Sequence, residues 1–459
     1  MLARIAETFT NCFKIPELKS RIFFTLLLLA ICRMAAIIPL PGLDGAALKA
    51  FFESNAAKGG SSLLGLYSLF TGGAMEHCAL GALGIMPYIS ATIIVQLLTA
   101  VIPQLSKLAR EEGGRTKIIQ YGRYLTLLLC LGQGFVMAIA WENPDSFFRA
   151  TFPGKLVLIE PIWWYRIQTT LLLTAGTLLL MWLGEQISER GIGNGVSLVI
   201  TIGILARLPA AGQAFIDMYL PAAGETKYNV FHAIFMIVLL LAVVAGVIAV
   251  TQAQRKIPVQ YAQRTIGRRA YAGTSSFMPL RVNYSGVMPI IFAQAILMFP
   301  QKIFLFLEGS TKVAFFGQIA RLLNEGAFLY MALYAAMILF FSYFWVATQF
   351  NELQIADDLK KYGGYIPGVR PGPATSTFLH NAMSRITLAG AVFLTVIAII
   401  PIWMNRWLEI PYYAASFFGG TSLLILVGVV LDTMRQVESH LLMRHYDGFL
   451  KKGRMRGRF

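Results

Sequence analysis

The residues able to do covalent or metal chemistry are few and scattered. Cys12, Cys32, Cys78 and Cys130 stand alone, with no C-x-x-C spacing to suggest a disulfide framework or a zinc site. His77, His232, His380, His440 and His445 are equally dispersed, and solvated or interfacial positions suit them better than metal ligation. There is no G-x-x-x-x-G-K-[ST] phosphate loop, no H-E-x-x-H zinc helix and no G-x-S-x-G nucleophile elbow. The glycines of GIGNG (191–195) could be taken for a nucleotide loop. They follow an apolar run rather than a strand and lack an acidic residue at the expected distance, so they read as a tight turn. These residues predict no enzyme and call for no cofactor.

The chemistry that remains is that of positive charge. Residues 252–285 hold Arg255, Lys256, Arg264, Arg268, Arg269 and Arg281 without a single acid. Residues 360–372, KKYGGYIPGVRPG, use glycine and proline to build a stiff, turned projection around Arg370. The tail RHYDGFLKKGRMRGR (444–458) adds a further basic surface. Such polycations bind anionic lipid, RNA or an acidic protein surface. Topological anchoring alone would need only two or three basic residues, so loops 252–285 and 349–385 predict a partner site.

The elements that must carry these loops are membrane helices. Of 459 residues, 56% are hydrophobic and 14% charged, and mean hydropathy is +0.63. Soluble domains have about 25% charged residues, so a soluble globular protein is excluded. Apolar runs of spanning length, about 20 residues each, fall near 22–40, 80–101, 121–140, 163–183, 195–212, 229–251, 286–305, 328–348, 386–403 and 414–431. The fifth, with Arg207 and Pro209, is the weakest. Charge supports it: ten spans put 27 Lys and Arg on one side and 11 on the other, with Arg33 inside the first span, and deleting the fifth erases that asymmetry. Basic residues are retained in the cytoplasm, which predicts a multi-pass membrane protein with both termini there. The net charge of +16 divides into +15 on the cytoplasmic side, zero outside and Arg33. The N-terminal basic residues before an apolar run could suggest a secretory signal, but the run continues into IPLPGLD (38–44) without a convincing cleavage site. Residues 1–13 fit a short surface helix. The expected organisation is therefore an all-α polytopic protein: a cytoplasmic amphipathic segment 1–21, a first half 22–212, a second half 213–431 and a basic tail 432–459.

One stretch is irregular. Residues 63–102 are apolar over 40 residues, too long for one helix and too short for two with a loop. They divide at Gly72-Gly73 and the polar Met75-Glu76-His77-Cys78, leaving a half-length segment 63–75. Either it is buried at membrane depth beside a wet cavity, since unsatisfied peptide groups are excluded from lipid, or it is an interfacial helix on the outer surface. Apart from Arg33, charges lie near span ends, and mid-membrane polarity is limited to Ser90, Thr92, Gln96 and Gln294. Ordinary interhelical hydrogen bonding would explain these four. A ten-span secondary transporter is the competing function; the missing mid-membrane acids weigh against it.

The segments GIMPYISATIIVQLLT (84–99), EEGGRTKIIQYGRYLT (111–126), GEQISERGIGNG (184–195), QAQRKIPVQYAQR (252–264), PLRVNYSGVMPIIFAQAILMFP (279–300), IPGVRPG (366–372), GGTSLLIL (419–426) and MRHYDGFLKKGRMRGR (443–458) resemble bacterial SecY channel subunits of the general (Sec) protein translocase, in the family's order. The resemblance implies ten spans in two pseudo-symmetric inverted halves, 1–5 and 6–10, around an hourglass pore. It also implies a channel for unfolded secretory preproteins that releases signal sequences and membrane helices sideways. By motif position the family's aliphatic pore ring falls on Ile85, Ile89, Val196, Ile200, Ile291 and Ile425. The half-length segment becomes the plug, with Leu66, Tyr67, Leu69, Phe70, Thr71, Gly72 and Gly73. Ser90, Gln96 and Gln294 become lateral-gate residues between spans two and seven. Arg255, Lys256, Arg264, Arg268, Arg269 and Arg370 become docking residues for the SecA ATPase or a ribosome with its nascent chain. The implied partners also include the small subunits SecE and SecG, preprotein signal sequences and anionic lipid, with nucleic acid only as ribosomal RNA.

Overall fold

A computed structural model describes residues 15–57, 71–111, 113–144, 155–219, 230–261, 265–266, 269–270, 275–311, 314–323, 327–407 and 421–452. The surface helix expected at 1–13 and the plug residues Leu66, Tyr67, Leu69 and Phe70 lie outside them. In chain order the elements are α1 (Pro16–Ala35), α2 (Gly45–Ala57), α3 (Met86–Val101), α4 (Pro103–Arg110), α5 (Gly114–Glu142), α6 (Ile162–Arg190), α7 (Gly195–Ala206), α8 (Leu208–Tyr219) and α9 (Val230–Gln252). There follow β1 (Gln254–Tyr261), β2 (Thr265–Ile266), β3 (Arg269–Ala270), β4 (Ser275–Arg281), α10 (Met288–Thr311), α11 (Ala314–Leu322), α12 (Phe328–Gln349), α13 (Glu352–Lys361), β5 (Gly364–Tyr365), α14 (Pro373–Trp407) and α15 (Thr421–Lys452).

Each of the ten expected spans overlaps a helix: α1, α3, α5, α6, α7, α9, α10, α12, α14 and α15, the last described from Thr421 onward. Among the described residues six are long and apolar enough to cross a membrane unaided, and α3 with α4 makes a seventh candidate bent by 104°. The bend falls at Ile102, whose extended backbone (φ −90°, ψ 114°) is what the ring of Pro103 requires of its neighbour. Within the apolar helices hydroxyls turn back onto their own backbone. Thr92 donates to the Tyr88 carbonyl at 2.8 Å, Thr126 to Gly122 at 2.7 Å, Thr201 to Ser197 at 2.8 Å and Ser342 to Ile338 at 2.8 Å. Each such bond satisfies a polar group without water.

Several boundaries differ from the hydropathy reading. α1 ends at Ala35 rather than near 40, because residues 35–40 pair with 78–81 instead: Leu40 N–H donates to the Cys78 carbonyl, Leu80 N–H to Ile38 and Gly81 N–H to Ala35, each at 2.9 Å. α14 starts at Pro373, well before 386, and α15 carries the tenth span straight on to Lys452. At Arg207 a one-residue turn with αR backbone separates α7 from α8, and Gly195–Gln213 taken across it is one of the six spanning candidates.

The core of the helical body draws on α1, α3, α6, α7, α9, α10, α12, α14 and α15. A second cluster joins α2, the 75–83 turn, α5 and α6 around Trp141 and Tyr165. Outside the helices the structure adds a small sheet that hydropathy did not suggest, with strand order β4-β1-β5. β1 and β4 pair antiparallel from Gln254↔Arg281 to Gln260↔Ser275, and β5 joins through Gln260↔Tyr365 and Tyr261↔Gly364. Ile257 and Val259 alternate with exposed neighbours along β1. Ile257 packs with Leu280, Val346, Phe350, Ile366 and Leu379, which seats the sheet on α12 and α14.

Candidate functional site

All six residues expected to form the ring lie in the first two turns of a helix, or at its cap. Ile85 is the N-cap residue of α3 and Ile89 follows one turn later; Val196 and Ile200 have the same spacing on α7. This i, i+4 spacing stacks each pair on one helix face. Ile291 and Ile425 occupy the corresponding early positions of α10 and α15. Local sequence sets these starts. Gly84 takes φ +61° and Pro87 opens α3, while the Asn194 side chain caps α7 by accepting from the Ser197 N–H at 3.3 Å. Glycine also permits the close crossing at the base of α7, because a Cβ on Gly195 would collide with the Gly184 carbonyl.

The ring residues belong to a single apolar cluster. Relative exposure is 3% for Ile85 and Ile89, 1% for Ile200 and Ile291 and zero for Ile425, and half-buried Val196 packs against the same cluster. None of these side chains has a hydrogen-bonding group. The arrangement can exclude water and ions, and it can yield to any side chain without favouring one.

Beside the ring, α3 packs against α10. Ser90 and Gln96 are half-buried on α3 and Gln294 is buried on α10, so the three expected gate residues belong to the two helices that meet there. Thr71, Gly72 and Gly73 lead into a buried turn that runs to Ile85. Gly72 (φ +63°) and Gly73 (φ +87°) adopt left-handed backbone there. Arg33 Nη1 donates to the Gly72 carbonyl at 2.9 Å, and Arg207 Nη2 pairs with Glu76 Oε1 at 2.5 Å. Burial holds the His77 imidazole below its ordinary pKa; Lys49 acts in the same direction and Glu76 against it. A cavity of about 30 Å³ lies between Thr71, Arg33, Ile85, Val199 and Gly203, large enough for water. Sequence reading noted Arg33 and Arg207 only as charges out of place in apolar runs. No spacing signal ties them to residues 72–76, since the partners stand 39 and 131 positions apart in the chain.

On the opposite loops, Arg255 and Lys256 are exposed on β1, paired with Leu280 and Pro279 of β4. Arg370 is exposed beyond β5, its carbonyl accepting from the Thr375 hydroxyl at 2.9 Å. The sheet thus brings the two predicted basic loops into one surface. Arg269 is on β3, and Arg264 and Arg268 lie outside the described residues.

Comparison with known proteins places this architecture. The SecY family model matches residues 79–434. The protein translocase subunit SecY of Chlamydia trachomatis serovar D is 43% identical over 460 residues, covering 98% of this chain and 99% of that one. Among solved structures, a SecY whose plug domain stabilises the closed state of the translocation channel and maintains a membrane seal superposes with TM-score 0.57 at 18% identity, over 95% of this chain and 94% of the other. Sec61 in a canine ribosome–channel complex from the endoplasmic reticulum gives TM-score 0.56 at 17% identity, over 95% and 94%.

Proposed function

Because the chain belongs to the SecY family, we propose that its ring, plug end, gate and basic surface work as the parts of a protein-conducting channel. The protein is a translocase channel subunit that passes unfolded preproteins across the membrane and releases signal sequences and membrane helices laterally. The observation that carries the assignment of its parts is the ring: five aliphatic side chains at 3% exposure or less, from four different helices, in one cluster.

The physics of the task requires such a ring. A charge at mid-membrane costs about 2.5–3.5 kcal/mol on insertion scales, so a crossing chain needs a wet path. An open wet path would dissipate a potential worth about 2.3 kcal/mol per charge per 100 mV. Aliphatic side chains resolve the conflict by meeting one another when the channel is empty and separating around a chain when it is occupied. The plug, of which residues 71–75 are described, closes one mouth of the ring, and parting α3 from α10 opens the lateral exit. The weak polarity of Ser90, Gln96 and Gln294 keeps that junction reversible.

With no nucleotide loop in the sequence, the energy comes from partners. The surface of Arg255, Lys256 and Arg370 receives a motor of the SecA type or a ribosome, and small subunits of the SecE and SecG type brace the helical body. The basic loops and both termini then face the cytoplasm of a bacterial inner membrane. The secondary-transporter reading has no support among the relatives. Reconstitution with the small subunits into vesicles tests the assignment: with an ATP-driven motor, an unfolded precursor becomes protected from added protease. Absence of protection with motor and ATP present refutes it.

A further inference from the structure

Two charges that fit no role in the ring, gate or docking surface converge on one target. Arg33 sits in the last turn of α1 and Arg207 at the turn between α7 and α8. Both guanidinium groups reach the short stretch 72–76, one to the Gly72 carbonyl and the other to the Glu76 carboxylate. The site is built for them. A Cβ on Gly72 would come within 2.6 Å of Arg33 Nη1 and 2.8 Å of Gly203 Cα, and one on Gly73 within 3.0 Å of Arg207 Nη2. Glycine is therefore what lets the arginines lie against the backbone. The Arg207 and Glu76 side chains are 14% and 8% exposed, so salt screens the pair little. Further along, residues 78–81 are fastened to 35–40 by backbone hydrogen bonds and by apolar packing of Leu40 with Cys78 and Ala36 with Ala79. The stretch thus has a permanent base at 78–81 and a charged attachment at 72–76.

Resting on the channel reading above, we propose that Arg33 and Arg207 form a two-point clamp on the end of the plug, and that the Arg207–Glu76 contact sets how strong a signal sequence must be to open the channel. A buried ion pair adds little net stability but is strongly disfavoured once half of it is removed. That asymmetry suits a switch. In the shut channel each charge needs the other. When the plug leaves, both enter the wet funnel and are solvated separately, so release follows displacement without a large residual attraction. The charges the proposal involves are Arg33, Arg207 and Glu76, with Lys49 and His77 nearby.

The test uses the reconstituted complex and two precursors, one with an intact and one with a crippled signal sequence. Glu76→Gln keeps the side chain's shape and removes the carboxylate that Arg207 Nη2 contacts. It should raise transport of the crippled precursor roughly tenfold, equivalent to about 1.4 kcal/mol on the shut–open balance, with the intact precursor unchanged. The double variant Glu76→Gln/Arg207→Gln, which removes both halves of the pair, should also be permissive and serves if the single variant fails to accumulate. The exchange Glu76→Arg/Arg207→Glu should return selection to within about twofold of the original. Strict selection in the neutral variants, or an exchange as permissive as they are, overturns the clamp. Failure of the unaltered complex to carry the intact precursor would instead overturn the channel reading.

Discussion

Replacing Ile425 with asparagine tests the ring directly. Ile425 is fully buried in the large apolar cluster. Its removal forfeits about 1.5–3 kcal/mol of apolar burial, and an amide facing isoleucines without a partner costs about 1–3 kcal/mol more. The shut ring bears both terms. A wet, parted ring bears little of either, since the amide is hydrated there. Even if only about 3 kcal/mol differs between the two states, the open population rises by about two powers of ten. Two assays read this: resting ion conductance of the reconstituted channel in a planar bilayer, and transport of a precursor with a crippled signal. Ile338→Asn on α12 is the control, because Ile338 is equally buried in the same cluster but is not a ring residue. It should lower thermal stability without raising conductance. Equal conductance in the two variants, or a loss of stability alone in Ile425→Asn, would refute the ring.

Reversing the charge at exposed Arg370 with Arg370→Glu should cut motor-driven transport at least tenfold while the amount of channel in the membrane is unchanged; unaltered vesicle import contradicts the docking surface. Cysteines introduced in α3 and α10 at Gln96 and Gln294 and joined by a bifunctional reagent should abolish lateral release, measured as membrane insertion of a signal anchor; normal insertion with the linkage complete argues against a gate at that junction. Gly195→Ala should lower stability by about 1–3 kcal/mol, the range for overpacking, seen as a lower thermal midpoint in detergent, because the new methyl collides with the Gly184 carbonyl; an unchanged midpoint means that α6 and α7 can move apart.

The helices were legible because lipid demands long apolar runs, and each of the ten runs overlaps one. Their ends were less so. Residues 36–40 are as apolar as a span, yet they leave the helix to pair with 78–81, a choice made by contacts far away in sequence. Arg207 weakened the fifth span on hydropathy and marks only a one-residue turn between α7 and α8, across which Gly195–Gln213 still has spanning length. The sheet left a readable trace, the alternation of Ile257 and Val259, but six basic residues in the loop drew attention to charge instead of period. The ring was invisible without the family resemblance. Isoleucine in an apolar helix carries no mark of whether it faces lipid, core or pore; only the motif match singles these positions out, and burial in the cluster they share with Ile338 does not. Arg33 and Arg207 were conspicuous one by one; their common target depends on how α1 and α7 cross.

The small sheet has a mechanical consequence. Its strands come from two loops, and its apolar underside is seated on α12 and α14 through Val346, Phe350 and Leu379. A load applied at Arg370 or at the β1–β4 hairpin is thus borne by one stiff bracket and delivered as torque to the eighth and ninth spans, not dissipated in slack chain. α12 in turn packs on α10, one wall of the junction with α3. Under the proposed docking and gate assignments, the bracket that receives a partner is also a crank on the side exit, and how far that exit swings depends on how rigidly the bracket is seated.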